Sequence, residues 1–241
     1  ARLSGIGHTV TVNDFDFAGL AHEAYDDIVY RVSKERPLVH HCMNESYKHL
    51  NEGGSLHLIG NKEDGIRTHG RNAEKVLATA EHPMQHGSAY HIRLQKPAAS
   101  AQVAADFLDS KDYDHLRTCT VGELHFVSKP GVFGWNKVDR GSALPAEHVN
   151  TLLAKRKTLG PVLDLGCGYG FLLLATAKLP FSKRHGTDNN AAAVDAAKAS
   201  FARVGLSVQV TLADCAAQLE GSYDWILCNP PFHQGVATSS A

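Results

Sequence analysis

The stretch that decides the fold is "PVLDLGCGYG", residues 161–170, in which an apolar strand runs directly into a glycine-rich turn. A helix is predicted over "FLLLATAKL", and "KRHGTD" is predicted to be a strand that ends at Asp188. A helix over "AAAVDAAKASFARVG" that stops at Gly205, a strand ending at Asp214 and a strand over "DWILC" complete the series. Strands that alternate with helices in this way predict an α/β fold with a parallel, doubly wound sheet.

A ligand site is predicted where these strands end, because ligands of parallel sheets bind at the carboxyl ends of the strands. The glycines let the backbone approach a ligand closely, but Phe171 stands where a dinucleotide fingerprint needs its last glycine. Asp164 favours a cationic ligand such as S-adenosylmethionine, while Asp188 is placed for ribose hydroxyls and Asp214 for an adenine amino group. Each acid alone is also typical of a helix cap or a turn. The candidate cofactor residues are Asp164, Gly166, Gly168, Gly170, Asp188 and Asp214.

The bulk composition limits the classes of function. With 241 residues, 43% hydrophobic and 20% charged, the chain is predicted to be globular, with one large domain or two small ones. Neither a signal-peptide pattern nor an apolar run of the ~20 residues that cross a membrane is present, so no membrane partner is expected. Five scattered cysteines without C-x-x-C spacing favour reduced thiols in the cytoplasm and no metal site. The net charge of −1 leaves any nucleic-acid contact to a local patch.

The beginning of the chain is similar to its end at a fixed offset of 198 residues. Eight of the 24 aligned positions from 7 to 30 are identical, among them Val10 with Val208 and Val12 with Val210. Composition alone gives about one or two such identities. We interpret this as an internal duplication; two unrelated strands of similar pattern are the alternative. The chain would then enter the first copy midway and leave the second midway, so a fragment at both ends is expected.

Three further motifs carry a resemblance to a known family. The motifs are "KPGVFGWNKVDRGSAL", "VLDLGCGYG" and "CNPPFHQG". They resemble motifs of the bacterial ribosomal RNA guanine-N2 methyltransferases, of the small-subunit methyltransferase C type or its large-subunit sibling. These enzymes are class I S-adenosylmethionine-dependent methyltransferases. "YDDIVYRVSKERPLVHH" and "NEGGSLHLIGNKEDGI" resemble the amino-terminal half of that family, a degenerate methyltransferase domain without its own cofactor motif.

This resemblance implies tandem Rossmann-like methyltransferase domains. The first, degenerate and truncated at its N-terminus, is expected over residues 1–97, and a linker over residues 98–116. The second, which binds the cofactor and is incomplete at its C-terminus, is expected over residues 117–241. Within it, Pro145 is predicted in the first turn of a helix.

The resemblance also implies a substrate, the exocyclic amine of a guanine in ribosomal RNA, and a catalytic motif that begins at Asn229. The Asn229 side-chain oxygen and the Pro230 carbonyl would accept hydrogen bonds from that amine. Pro230 and Pro231 stiffen the turn and lack N–H donors, and Phe232 would stack on the base, worth roughly 1–3 kcal/mol. Positioning would supply most of the rate without a strong general base. Asn-Pro is also a common turn at the end of a strand.

Arg31, Lys34 and Arg36 stand where the first copy has its counterpart of this turn. They form either a solvated loop or a patch that contacts RNA phosphates. The expected partner is ribosomal RNA or a ribosomal subunit. Two alternatives stay open at this point: another amino-methylating enzyme, acting on DNA adenine or a protein glutamine, and a non-catalytic RNA-binding or folding module. Phe171 and Asp164 disfavour a nicotinamide dehydrogenase.

Overall fold

The computed structural model describes residues 8–77, 79–98, 105–214, 216–217 and 219–230. The chain divides into two compact units, Phe15–His115 and a second one of Ala1–Asp14 with Leu116–Ala241. Each unit has a hydrophobic core of its own. In the described ranges, no helix is long and apolar enough to cross a bilayer.

The unit Phe15–His115 has a mixed sheet with helices that pack on it. Its elements are β1 (Tyr25–Arg31), α1 (Arg36–His49), β2 (Leu50–Asn61), α2 (Ile66–Leu77), β3 (Thr79–Ala80), β4 (Met84–His86) and β5 (Ala89–Gln95), with a short 3-10 turn at Lys62–Asp64. The strands lie in the order β1–β2–β5–β3, and β4 also pairs with β5. The β1–β2 pair is parallel and β5 is antiparallel to β2. Leu56 and Leu58 of β2 share a core with Met43 of α1 and Val76 of α2.

Part of the segment predicted to be a linker packs into this unit instead. Asn44 donates from Nδ2 to the Leu108 carbonyl at 2.8 Å and accepts from the Leu108 amide at 2.9 Å. A ring nitrogen of His40 lies 2.9 Å from the Asp109 carbonyl, and Tyr113 is fully buried in the core. The expectation of a linker is therefore wrong for residues 105–115, because these contacts satisfy polar and apolar groups of α1. Residues 99–104 lie outside the described residues.

The second unit is a Rossmann-like αβ layer preceded by a hairpin. Its elements are β6 (Arg117–Val121), β7 (Leu124–Ser128), α3 (Arg140–Leu153), β8 (Val162–Leu165), α4 (Phe171–Ala175), β9 (Arg184–Asp188), α5 (Ala191–Val204), β10 (Gln209–Leu212) and β11 (Trp225–Cys228). The strands form a parallel sheet in the order β10–β9–β8–β11. The chain moves outward from β8 in one direction and then places β11 on its other side. The sheet therefore has a switch point between β8 and β11, where ligands bind in such folds.

Two helices differ from their predicted extents. α4 ends at Ala175, and the Thr176 hydroxyl then bonds the Leu172 carbonyl at 2.7 Å, so the predicted helix over "FLLLATAKL" is too long. α3 begins at Arg140, so Pro145 lies inside the helix and not in its first turn. The backbone carbonyl of Asp139 accepts hydrogen bonds from the amides of Ser142 and Ala143, which starts the helix before the proline.

The polar strand β9 is accommodated by specific partners. Arg184 donates from its guanidinium to the carbonyls of Ala177 and Leu179. The two ring nitrogens of His185 lie 2.7 Å from the Tyr223 hydroxyl and 2.8 Å from the Thr211 hydroxyl. Burial lowers the pKa of His185, which favours the neutral ring. These bonds allow a sequence as polar as "KRHGTD" to form a central strand.

The proposed duplication is reflected in one part of its alignment. β1 and β11 are both strands that run parallel to a neighbour. Val10 and Val12 lie outside strands and are exposed, whereas Val210 lies in β10. The similarity at these valines is therefore one of sequence and not of secondary structure.

Candidate cofactor and substrate site

The glycine-rich turn after β8 is fixed by the end of the neighbouring strand β9. The amides of Gly166 and Cys167 both donate to the Thr187 carbonyl, at 2.9 and 2.8 Å. The amide of Gly168 donates to Oδ2 of Asp188 at 2.9 Å. The turn is thus held at the carboxyl edge of the sheet, where β8 and β9 end together.

The three glycines of this turn meet different structural requirements. Gly166 and Gly168 have φ angles of +74° and +55°, and a Cβ added at either would have nothing within 4 Å. Gly170 has a φ of +90°, and its Cβ would collide with the buried ring of Phe201 in α5. The first two therefore present bare backbone to open space, which suits close approach of a ligand, while Gly170 allows α5 to pack.

Asp164 lies in the middle of the sheet, paired with Gly186 of β9 on one side and Leu227 of β11 on the other. Its side chain is 0% exposed, and among the described residues neither carboxylate oxygen makes a hydrogen bond of full geometry, although the Leu173 amide is close enough to lower the pKa in part. Burial, with a smaller contribution from the Asp188 carboxylate, raises the pKa of Asp164 to about 7. A buried carboxylate without a partner is costly, and a cation placed beside it removes that cost. This environment fits the cationic amino group of S-adenosylmethionine.

The two acids at the next strand ends are placed differently. Asp188 accepts from the Gly168 amide with Oδ2 and from the Asn190 amide with Oδ1, so it acts as a turn residue. Each oxygen has a second lone pair, which leaves capacity for ribose hydroxyls. Asp214 lies two residues beyond the end of β10 and is exposed. The structure brings Asp164, Asp188 and the glycine turn together; the adenine contact of Asp214 stays a prediction.

Asn229 follows β11 directly, on the opposite side of β8 from β9. Its Nδ2 donates to Oδ2 of Asp139 at 3.2 Å and to Oγ of Ser142 at 2.7 Å. Pro230 is exposed, and Pro231 and Phe232 lie outside the described residues. The candidate catalytic residue and the buried Asp164 therefore flank the switch point of one sheet.

The segment before α3 contributes residues to which the sequence motifs gave no role. Asn190 donates from Nδ2 to the Gly131 carbonyl at 3.0 Å, and the Tyr169 hydroxyl donates to the Lys137 carbonyl at 3.2 Å. Asp139 and Ser142 contact Asn229 as described. Gly131, Lys137, Asp139 and Ser142 all lie in "KPGVFGWNKVDRGSAL", so the motif was the available signal, but nothing local in it shows which of its groups reach the site.

The three candidate basic residues of the first unit lie at the end of β1, in the loop that follows and at the start of α1. Arg31 ends β1, and Arg31, Lys34 and Arg36 are all exposed. The Arg36 Nε lies 3.4 Å from Nε2 of His40. Among the described residues, no group of three or more His, Cys, Asp or Glu side chains could hold a metal ion.

Burial raises the pKa of the Cys167 thiol, and the Asp164 and Asp188 carboxylates add to the effect. Burial likewise raises the pKa of Cys228. A raised pKa suppresses the thiolate, so these two cysteines beside the site are poor nucleophiles.

Comparison with known proteins agrees with this architecture. A model of the "Methyltransferase small domain" family matches residues 123–241, and a model of its N-terminal domain matches residues 6–111.

Similar proteins of known family cover most of this chain. The ribosomal RNA small subunit methyltransferase C of Pseudomonas entomophila is 35% identical over 91% of this chain and 64% of its own length. That of Pseudomonas putida is 34% identical over 94% of this chain and 68% of its own length. The 16S rRNA N2 G1207 methyltransferase of T. thermophilus, solved in complex with AdoMet and guanosine, superimposes with a TM-score of 0.72 at 26% identity, over 90% of this chain and 58% of that one. The chain thus spans between 58% and 68% of the length of these three proteins.

The fold is that of a class I S-adenosylmethionine-dependent methyltransferase. Its defining features here are the parallel sheet with its switch point, the glycine turn and the buried acid. Within that class, the chain belongs to the ribosomal RNA small subunit methyltransferase C family.

Proposed function

We propose that the protein transfers a methyl group from S-adenosylmethionine to the exocyclic N2 amine of a guanine in small-subunit ribosomal RNA. The observation that carries this proposal is the placement of Asn229 and the unpartnered Asp164 carboxylate on either side of one switch point. The names of the relatives support the choice of RNA, and the T. thermophilus protein was solved with both AdoMet and guanosine.

The cofactor would lie against the glycine turn. Asp164 would pair with its amino group, Gly166 and Gly168 would let it approach the backbone, and Asp188 would accept from its ribose. Asp214 would accept from the adenine amino group. When bound, S-adenosylmethionine supplies a methyl group on a positively charged sulfur, which needs no further activation.

The substrate amine would be oriented by acceptors at the end of β11. A guanine N2 amine is a weak nucleophile because its lone pair is delocalised into the ring. Asn229 Oδ1 and the Pro230 carbonyl would accept its two N–H groups, which turns the lone pair toward the methyl group. Phe232 would stack on the base and Pro231 would stiffen the turn. Holding the amine in this geometry supplies the rate, and no strong general base is needed.

The guanine would be presented either in a single-stranded loop or after unstacking, since a paired base cannot reach such a site. Arg31, Lys34 and Arg36 would contact phosphates of the same RNA. The proposed partner is ribosomal RNA or the small ribosomal subunit, and a protein with this partner is expected in the cytoplasm.

Substrate competition tests the proposal. The full-length protein is incubated with labelled S-adenosylmethionine and small-subunit ribosomal RNA or small subunits, with DNA and a protein mixture as competitors. The expected result is label in the RNA alone. Label in DNA or protein would replace this function with another amino-methylation, and cofactor-free RNA binding without any label would replace it with a non-catalytic RNA-binding role.

A further inference from the structure

The amide of an asparagine can point its oxygen or its nitrogen toward a given neighbour, and its surroundings decide between the two. Next to Asn229 lies the carboxylate of Asp139, which when ionised accepts hydrogen bonds and cannot donate them. Only the amide nitrogen of Asn229 can therefore face Asp139, as it does at 3.2 Å. The carboxylate of Asp139 therefore determines the orientation of the Asn229 amide. It leaves Oδ1 as the end of the amide that faces away from Asp139 and can accept a hydrogen bond.

Asp139 makes this contact instead of a more usual one. It occupies the N-cap position of α3, where an aspartate side chain commonly accepts from an amide of the first helical turn. No such side-chain cap bond is made at this helix. The carboxylate is used for Asn229, and the backbone carbonyl of Asp139 alone accepts the amides of Ser142 and Ala143. The helix thus lacks this cap bond, and the carboxylate holds a residue 90 positions later in the chain.

The next turn of α3 completes the arrangement. Ser142 Oγ accepts from the same Nδ2 at 2.7 Å, so both protons of the Asn229 amide have partners. A Cβ at Gly141 would lie 2.7 Å from Oδ2 of Asp139 and 3.0 Å from Oδ1 of Asn229. A larger side chain at position 141 would therefore push the carboxylate and the amide oxygen from their places.

We propose that Asp139 and Ser142 are positioning residues that hold both N–H groups of the Asn229 amide, so that Oδ1 is the atom that accepts from the substrate amine. This inference rests on the proposed function, and it assigns the orientation of the acceptor on which that function depends. With the amide reversed, the NH2 group of Asn229 would face the NH2 group of guanine, and two donors cannot form a hydrogen bond.

Kinetics with a double-mutant cycle tests the proposal in the full-length protein. Asp139→Ala should lower kcat by about 10- to 100-fold, the range known for residues that orient metal ligands and taken here by analogy, with the KM for RNA and the Kd for S-adenosylmethionine little changed. In the Asn229→Ala background the same substitution should change kcat by less than about 2-fold, because it acts through Asn229. Asp139→Asn, which retains an acceptor oxygen, should recover part of the loss. Glu147→Ala, exposed on the same helix, is the matched control and should leave kcat unchanged.

A second readout does not depend on activity. In a spectrum of protein labelled with 15N-asparagine, the side-chain NH2 signals that disappear in Asn229→Ala are those of Asn229. These signals should shift in Asp139→Ala and Ser142→Ala and stay in place in Glu147→Ala. The positioning role would be overturned if the double variant lost kcat by the product of the two single losses. It would also be overturned if the Asn229 signals did not move in Asp139→Ala and Ser142→Ala. If the wild type methylates no guanine but the Asn229 signals shift in the two variants, the proposed function is discredited. The contacts of Asp139 and Ser142 with Asn229 are then still established.

Discussion

Asp164 is the residue that most clearly indicates a ligand site in this sheet, because a carboxylate is unusual in a protein core. It lies at 0% exposure with both oxygens unpartnered, and burial raises its pKa to about 7. A core position usually holds an apolar residue, so a carboxylate there weakens the fold unless a ligand compensates it. The ligand-free protein is therefore less stable because of Asp164, and a bound cation restores this stability.

The first prediction concerns the stability of the ligand-free protein against pH. An aspartate has an ordinary pKa of 3.8, so it is ionised in the unfolded chain at pH values where folded Asp164, with a pKa of about 7, still holds its proton. The native state therefore binds more protons at Asp164 between these values, and the contribution of Asp164 to the free energy of unfolding falls as pH rises from about 4 to 7. Asp164→Asn removes this dependence and should gain stability relative to the wild type between pH 4.5 and pH 8, measured by urea unfolding. Asp195→Asn, exposed on α5, is the control; identical profiles for Asp164→Asn and wild type would contradict the raised pKa.

The second prediction is that cofactor binding releases a proton. A cationic amino group beside Asp164 favours the carboxylate and lowers its pKa, so binding at pH 7 should release about half a proton and the affinity should rise from pH 6 to pH 8. Calorimetric titration in two buffers of different ionisation enthalpy measures the proton count. Proton uptake, or an Asp164→Asn protein that binds as tightly as the wild type, would show that Asp164 does not contact the cation.

At the scale of elements, the turn between β8 and α4 joins a ligand surface to a packing surface. Gly168 faces open space, whereas Gly170 lies against the buried ring of Phe201 from α5. The same backbone segment therefore has one glycine for the ligand and one for the core.

The third prediction separates these two glycines. Both have positive φ, so alanine at either costs about 1–2 kcal/mol in backbone strain, but Gly170→Ala adds a clash worth a further 1–3 kcal/mol. Denaturant unfolding should show the larger loss for Gly170→Ala, and Phe201→Leu in that background should recover part of it. Gly168→Ala should retain most of the stability and lose affinity for S-adenosylmethionine. Equal stability losses with unchanged binding would contradict this division of roles.

The elements that the sequence predicted correctly are those whose signals are local. β8, β11 and α5 follow from apolar runs or faces bounded by glycine or acidic residues, and α5 ends at Gly205 in the left-handed conformation as predicted. The polar β9 was predicted from its place between two helices and its end at Asp188. The ends of α3 and α4 were missed because a carbonyl of Asp139 and a hydroxyl of Thr176 decide them. The Asp139–Asn229 contact could not be predicted, since it joins positions 90 apart and depends on where the start of α3 lies relative to the end of β11.

At the scale of the whole molecule, the described residues form two separate hydrophobic cores. One contains Leu58 and lies in the unit Phe15–His115; the other contains Leu173 and lies in the unit that carries the site. Separate cores favour separate unfolding, because each unit can lose its packing without exposing the other core.

The fourth prediction is therefore two calorimetric transitions. Leu58→Ala should lower the Tm of one, and Leu173→Ala the Tm of the other, each by creating a cavity that costs about 2–5 kcal/mol. S-adenosylmethionine should raise only the transition that Leu173→Ala lowers, since a ligand stabilises the unit that binds it. A single transition shifted by both substitutions, or a cofactor effect on the Leu58 transition, would contradict this assignment.

The central claim is that Asn229 presents an acceptor to the N2 amine of a guanine, and the direct measurement is the identity of the methylated nucleoside. Small-subunit ribosomal RNA treated with the full-length wild-type protein or with Asn229→Ala is digested to nucleosides and analysed by mass spectrometry. The account predicts N2-methylguanosine with the wild type and about 100-fold less with Asn229→Ala, at unchanged S-adenosylmethionine affinity. A different methylated nucleoside, or N2-methylguanosine in equal yield from the variant, would contradict it.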